Sequence, residues 1–143
     1  MSQTRAQQRA RHALEEVLKA AEDTDVDGGR FRSYTNSLPA MIQMNGLGQA
    51  AAFCRSKTKS QTEYLRLYNI LSSWLTGQEQ PYFDKDDLLK GITEKGMKSY
   101  RDAQAEALAY LDWVKRFAQA YVVVREDQQD QEPSEAPVEG GAP

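Results

Sequence analysis

The sequence contains very little of the chemistry that binds metals or forms disulfides, since Cys54 is its one cysteine and His12 its one histidine. A single cysteine excludes a disulfide within the chain, and no zinc site is expected from two isolated ligands. No apolar run approaches the ~20 residues of a membrane span. The N-terminal residues lead into a polar segment instead of the apolar core of a signal peptide. We therefore expect a cytoplasmic protein with no cofactor and no membrane partner.

Acidic residues are missing from one long part of the chain, because no Asp or Glu occurs between Gly28 and Thr62. The formal net charge of the whole chain is −3, so its positive charge is segregated. Segregated basic charge is typical of surfaces that bind phosphates. The acid-free window contains five cations, namely Arg30, Arg32, Arg55, Lys57 and Lys59.

The charge balance reverses after residue 125. Residues 126–143 contain six acidic residues, no Lys or Arg, and no aromatic side chain. Such a segment cannot bury enough apolar surface to offset the entropy of ordering it. We therefore predict a helical bundle domain in residues 1–125 and a disordered acidic tail in residues 126–143. A tail of this kind more often solubilises a chain, but it sometimes competes with nucleic acid for a basic face.

Helical periodicity accounts for most of the body, and no stretch alternates long enough to indicate a strand. Ser60 to Glu63 forms a capping-box pattern that predicts a helix start, and Asp84 is expected to cap a short helix. Asn45-Gly46 interrupts the second helical segment, whereas Pro39 allows either one kinked helix or two short ones. The fold class is predicted to be all-α, as a single compact bundle of about five to six helices with a long C-terminal helix and a disordered acidic tail.

The segment Gly46 to Gln49 superficially looks like a phosphate-binding loop. It lacks the GxxxxGK[ST] spacing and no strand precedes it, so a nucleotide site is not expected. Gly46 is better explained as the end of one helix, and the next helix then begins with free backbone N–H groups that could bind one nucleic-acid phosphate. Asn45 and Gln49 could add hydrogen bonds, although Asn45 is equally well explained as a turn residue. Cys54 is predicted to be a small buried residue and not a reactive thiol.

No catalytic constellation is evident, and we expect no enzyme. Asp84, Asp86 and Asp87 are clustered beside Lys85 at a predicted helix start, where carboxylates favour the helix dipole. A metal-dependent nuclease would need carboxylates that converge from separate elements, and a single histidine with scattered serines does not make a triad.

Some of the basic residues also have a purely structural explanation. Arg55, Lys57 and Lys59 follow the end of a predicted helix, where the dipole stabilises cations. The same explanation does not extend to Arg30 and Arg32. No base-reading module is present, so binding to nucleic acid is expected to involve the backbone and to weaken with salt. Further positive charge is expected from three arginines of the first helix, Arg5, Arg9 and Arg11.

The stretch LPAMIQMNGLGQAAAFCRSK at 38–57 resembles the small helical subunit of type III-B CRISPR effector complexes, the Cmr small-subunit family. The segments YLRLYNILSSWL at 64–75 and AQAEALAYLDWVKRFAQA at 103–120 support it, and the order of the segments fits as well. The resemblance covers roughly residues 5–124, and the acidic tail has no counterpart in it.

The resemblance implies a non-catalytic subunit that stacks in several copies along the duplex of guide RNA and target RNA in antiviral defence. It implies contacts with other copies of itself and with the backbone subunits of the Cmr complex, which carry the RNase activity. Asn45, Gly46, Gln49, Arg55 and Lys57 occupy the family's matching positions, and the division of these positions between RNA contact and packing is our inference. The residues expected to bind RNA are Arg30, Arg32, Asn45, Gln49, Arg55, Lys57 and Lys59.

Two other functions fit the sequence less well. A helical protein–protein adaptor without direct nucleic-acid contact would use the basic face for an acidic partner. A metal nuclease would require Asp84 or Asp87 for magnesium-dependent cleavage. Binding of generic RNA by the chain would distinguish the RNA-binding subunit from the adaptor. Magnesium-dependent cleavage of RNA would distinguish the nuclease from both.

Overall fold

The computed structural model describes residues 3–57 and 61–124, which form five helices and no strand. The predicted all-α fold with a long C-terminal helix is confirmed. The acidic tail, residues 126–143, lies outside the described residues, so the division of the chain at residue 125 stays a prediction. The helices are α1 (Arg5–Glu22), α2 (Gly28–Ser56), α3 (Thr62–Leu75), α4 (Leu88–Glu94) and α5 (Met97–Tyr121).

Helix α5 lies at the centre of the bundle and packs against α1, α2 and α3. It runs parallel to α1, because Arg9 and His12 contact Glu106 and Tyr110 in the same chain order. Its contacts with α2 run in the opposite chain order, Asn36 with Gln119 and Leu47 with Gln104.

The core between these helices is apolar and includes side chains from all five. Burying one large aliphatic or aromatic side chain stabilises the fold by roughly 1.5–3 kcal/mol, so the core holds the helices in a fixed arrangement. No helix of the described residues is both long and apolar enough to cross a membrane. Fully buried members of the core include Val17, Phe31, Ile42, Leu67, Leu88 and Leu111.

Helix α2 continues through Pro39 and breaks at Gly46. Only Gly46 leaves the helical region of φ and ψ, with φ 88° and ψ 157°. The two alternatives at Pro39 are thereby resolved in favour of one helix, and the predicted interruption at Asn45-Gly46 is confirmed. Tyr34 and Phe53 lie on either side of the break and both contact the ring of Tyr64. A straight helix would separate these residues by about 28 Å, so the chain changes direction at Gly46.

The carboxylates of both predicted helix caps have other partners in the fold. The capping box from Ser60 to Glu63 stays a prediction because Ser60 lies outside the described residues, although α3 begins close to it, at Thr62, and Glu63 accepts a hydrogen bond from the backbone N–H of Asp27 at 2.8 Å. The cap predicted at Asp84 is wrong. Asp84 pairs with Lys95 at 2.7 Å, and α4 begins later, at Leu88. A contact with a residue from another part of the chain can therefore outcompete a local cap, which is worth only about 1 kcal/mol.

Candidate nucleic-acid interface

Three of the predicted basic residues surround an aromatic cluster between α2 and α3. Tyr34 stacks on Tyr64 with ring centroids 3.7 Å apart, and Phe53 meets the edge of Tyr64 at 5.1 Å. Arg30 lies one helical turn before Tyr34, and residues four apart share one side of a helix. Arg30 is therefore on the side of α2 that faces α3, and its side chain is exposed.

Arg55 and Lys57 approach the same cluster from the other end of α2. The guanidinium carbon of Arg55 lies 6.0 Å from the ring centre of Tyr68. The ammonium of Lys57 lies 5.2 Å from the ring centre of Phe53. Cations over aromatic faces are attracted by the ring quadrupole, which contributes about 0.5–1 kcal/mol at exposed sites. We name Arg30, Tyr34, Phe53, Arg55 and Lys57 the basic–aromatic surface.

The cations of the basic–aromatic surface make no ion pair with a carboxylate of residues 3–57 or 61–124. Most other cations described in the chain have such a partner within 4 Å. Because Arg30, Arg55 and Lys57 are not neutralised internally, their positive charge is available to a ligand. The segment without acidic residues therefore contributes a positively charged surface to the folded protein.

Arg32 lies on a different side of α2. Asn36, one turn after it, accepts a hydrogen bond from Gln119 of α5 at 3.0 Å. Arg32 therefore faces the α5 side, away from Tyr34, and is half-buried. The structure does not place Arg32 on the basic–aromatic surface, and Lys59 lies outside the described residues.

The break at Gly46 does not leave the free N–H groups that the sequence suggested. The N–H of Leu47 donates to Gln104 Oε1 at 2.9 Å, and the N–H of Gly48 donates to Tyr100 Oη at 2.8 Å. The prediction that a phosphate binds these groups is therefore wrong, since α5 caps the second part of α2. The side chains of Asn45 and Gln49 remain exposed at this corner.

The arginines of α1 also do not provide the free charge expected of them. Arg9 forms two hydrogen bonds with Glu106, at 2.7 and 2.9 Å, and Arg5 lies 3.6 Å from the same carboxylate. Trp74 Nε1 donates to Glu106 at 2.8 Å. Arg11 pairs with Glu15 at 3.5 Å. Most of the positive charge of α1 is therefore compensated by carboxylates.

The carboxylate of Glu106 is buried, with 7% of its side chain exposed. Burial alone would raise the pKa of Glu106, but hydrogen bonds from Arg9 and Trp74 outweigh this effect and the pKa lies below its ordinary value. The group is therefore ionised at neutral pH and ties α1 and α3 to α5. Sequence reasoning missed it, although an acid beside Ala103, Ala107 and Tyr110 on an apolar stripe is a signal for a buried ion pair.

His12 belongs to the same region and is half-buried. Its Nδ1 lies 2.6 Å from Tyr110 Oη and its Nε2 lies 3.1 Å from Ser73 Oγ. Burial lowers the pKa of His12 below its ordinary value of 6.5, and the nearby carboxylates of Glu15 and Glu16 only partly oppose this. The imidazole is therefore neutral at pH 7 and makes a structural contact.

We predict that the protein loses stability between pH 7 and pH 5 because of His12. A folded-state pKa below 6.5 means that the unfolded chain binds this proton more readily, so the stability is fully present above pH 6.5 and is lost as the pH falls below it. One proton limits the slope to about 1.4 kcal/mol per pH unit. His12→Gln should flatten this slope in urea unfolding at pH 7, 6 and 5, and an unchanged slope would assign it to other groups.

The other potentially reactive side chains considered in the sequence are buried or contact a neighbouring side chain. Cys54 is 1% exposed and burial raises its pKa to about 12, so the predicted buried thiol is confirmed. Asp84, Asp86 and Asp87 contact Lys95, Lys90 and Tyr68 respectively. Within residues 3–57 and 61–124 no group of three or more His, Cys, Asp or Glu could hold a metal ion.

The fold and this surface describe a small helical protein with a basic face. Residues 5–121 match the family model of CRISPR-associated protein Cas_Cmr5. The chain is 34% identical over 119 residues to the CRISPR system Cmr subunit Cmr5 of Thermus thermophilus, a match that covers 83% of this chain and 96% of that protein. The crystal structure of a CRISPR-associated Cmr5 family protein from Thermus thermophilus aligns with a TM-score of 0.68 at 30% identity, covering 85% of this chain and 100% of that one.

The chain therefore belongs to the Cmr5 family. The resemblance to the small helical subunit of type III-B CRISPR complexes is confirmed, as is the extent of the similarity, which reaches from α1 to the end of α5.

Proposed function

We propose that this chain is a non-catalytic structural subunit of a type III-B CRISPR RNA-targeting complex, acts in the cytoplasm in antiviral defence, and binds RNA backbone through its basic face. Membership in the Cmr5 family supports the subunit role. The observation that carries RNA binding is the set of three cations at the basic–aromatic surface, which have no carboxylate partner among the described residues. Asn45 and Gln49 are exposed at the Gly46 corner and Arg32 adds a cation on the α5 side of α2, and we include these residues and Lys59 among the proposed RNA contacts.

The chemistry of the surface suits phosphates better than bases. Arg30 and Arg55 are exposed and offer guanidinium donors that match phosphate oxygens. Tyr64 and Tyr68, in contrast, are buried beneath the surface, and Tyr34 and Phe53 are half-buried against them. Because the aromatic rings pack on one another, binding should depend little on sequence and strongly on salt.

The proposed partners are guide RNA and target RNA, other copies of this chain, and the backbone subunits of the Cmr complex. Several apolar side chains are exposed in the single chain and are suited to contacts between subunits. The most exposed of these are Met44, Phe83, Met97 and Val123.

The triple variant Arg30→Gln, Arg55→Gln, Lys57→Gln tests the RNA proposal. Three lost phosphate contacts should reduce the slope of log affinity against log salt by roughly 2 for single-stranded RNA. At ~50 mM salt the affinity should fall at least about tenfold, measured by fluorescence anisotropy with a generic labelled RNA.

The matched control is Lys90→Gln, Lys98→Gln, Arg116→Gln, which removes the same charge from exposed pairs elsewhere. An equal loss of affinity in the two variants would contradict a localised RNA surface. If the natural chain does not bind RNA at ~50 mM salt, the adaptor function without nucleic-acid contact is favoured instead.

A further inference from the structure

The chain leaves its last helix beside the start of the acid-free window. Val122 and Val124 are buried, which fixes the path of the segment that follows α5. A Cβ atom added to Gly28 would lie 2.2 Å from the carbonyl oxygen of Val123, so this segment crosses the first turn of α2 in direct contact. The described chain therefore ends close to the N-terminus of α2.

Two cations without a carboxylate partner among the described residues lie close to this end of the described chain. Arg32 lies one turn after Gly28 and on the same side of α2, and Arg30 lies two residues after Gly28. Neither arginine pairs with a carboxylate of the described residues. On the other side of the exit, Asp25 is exposed and would repel further negative charge. The local charges therefore favour a path along α2 for an acidic chain.

We propose that the acidic segment 126–139 docks on Arg32 and Arg30 and competes with RNA for the basic face. Glu126 is two residues beyond Val124, within about 7 Å of it along an extended chain. A random coil of about fifteen residues would have an end-to-end distance of roughly 20 Å, so the length of this segment is sufficient to reach beyond the first turns of α2. The six carboxylates of residues 126–143 match the five cations of the window closely in number.

A tethered competitor needs no strong intrinsic affinity. A short flexible connection gives an effective concentration in the millimolar range, so even a weak charge contact is populated at low salt. RNA then binds only the fraction of molecules whose basic face is free, and its apparent dissociation constant rises accordingly. The competition with RNA rests on the proposed function, whereas the docking itself does not.

The docking is tested first without RNA. In the full-length chain, the six acidic residues of the tail are replaced by Gln or Asn: Glu126, Asp127, Asp130, Glu132, Glu135 and Glu139. Amide chemical shifts of Arg30, Arg32 and their neighbours on α2 should differ between the natural and neutralised chains at ~50 mM salt. At ~0.5 M salt the difference should disappear, because the Debye length falls below about 5 Å.

The consequence for RNA is tested on the same two chains. Neutralising the tail should raise RNA affinity roughly three- to tenfold at ~50 mM salt. In the background Arg30→Gln, Arg32→Gln the same tail substitutions should raise it clearly less, because the docking site is gone.

The outcomes separate the two proposals. Unchanged amide shifts on α2 overturn the docking, whatever the RNA result. Shifted amides with no RNA binding by either chain support the docking and overturn the proposed function. The amide shifts could also change while neutralising the tail raises RNA affinity equally with and without Arg30 and Arg32. That result would overturn the competition at these two residues, because the tail would then act by general repulsion of RNA.

Discussion

Replacing Glu106 by Leu is expected to lower the free energy of unfolding by about 3 kcal/mol. The substitution keeps the side-chain size but removes the acceptor of Arg9 and Trp74, which leaves a guanidinium and an indole N–H without a partner beside an apolar core. Arg9 is 23% exposed and regains part of its hydration in the variant. The loss of unfolding free energy should therefore lie at the lower end of the range observed when one partner of a buried ion pair is removed. Urea unfolding followed by tryptophan fluorescence and circular dichroism measures it.

The matched control is Asp112→Leu on the same helix. Asp112 pairs with Arg116 at 3.3 Å, but more than half of each side chain is exposed. Exposed pairs of this kind contribute about 0.2–1 kcal/mol, so the control should unfold close to the natural chain. Similar losses in the two variants would mean that the Glu106 network contributes little beyond a surface ion pair.

The Glu106 network shows what the sequence can and cannot predict about this fold. Helical periodicity predicts the long C-terminal helix, because this pattern depends only on neighbouring residues along one helix. The partner of Glu106 cannot be predicted in this way, since Arg9 is ninety-seven residues away and its pairing depends on how α1 packs against α5. An arginine read as free surface charge therefore becomes a neutralised structural group.

The same limit applies to the basic face. The absence of acids from the window predicts an uncompensated positive charge, and the described cations of that window have no ion-pair partner among the described residues. Which cations share a surface depends on the folded structure. The change of direction at Gly46 brings Lys57 to the aromatic cluster, whereas the helical spacing of the first part of α2 puts Arg30 on the α3 side and Arg32 on the α5 side. The phosphate site expected at Leu47 and Gly48 fails for a related reason, because distant side chains on α5 occupy those N–H groups.

Replacing Gly46 by Ala is expected to lower the free energy of unfolding by about 2 to 3 kcal/mol. Its φ of 88° with ψ of 157° lies in a region that is open almost only to glycine, where another residue costs roughly 1–3 kcal/mol. An added Cβ would also lie 3.0 Å from Tyr100 Oη, the group that caps the N–H of Gly48. The change therefore strains the backbone and disturbs the cap together.

Gly48→Ala is the matched control and should act in the opposite direction. Gly48 is helical, and a Cβ there would meet Ile92 at 3.5 Å and Tyr100 at 3.6 Å, which are ordinary contacts. Alanine in a helix is favoured over glycine by about 1 kcal/mol, so this variant should be as stable as the natural chain or more so. Thermal unfolding by circular dichroism compares the two variants. If both lower the melting temperature equally, close packing of the two glycines determines this corner. If only Gly46→Ala lowers the melting temperature, the backbone conformation of Gly46 determines the structure of this corner. The direction of the second part of α2 is then fixed by a single residue, and the position of Lys57 depends on that direction.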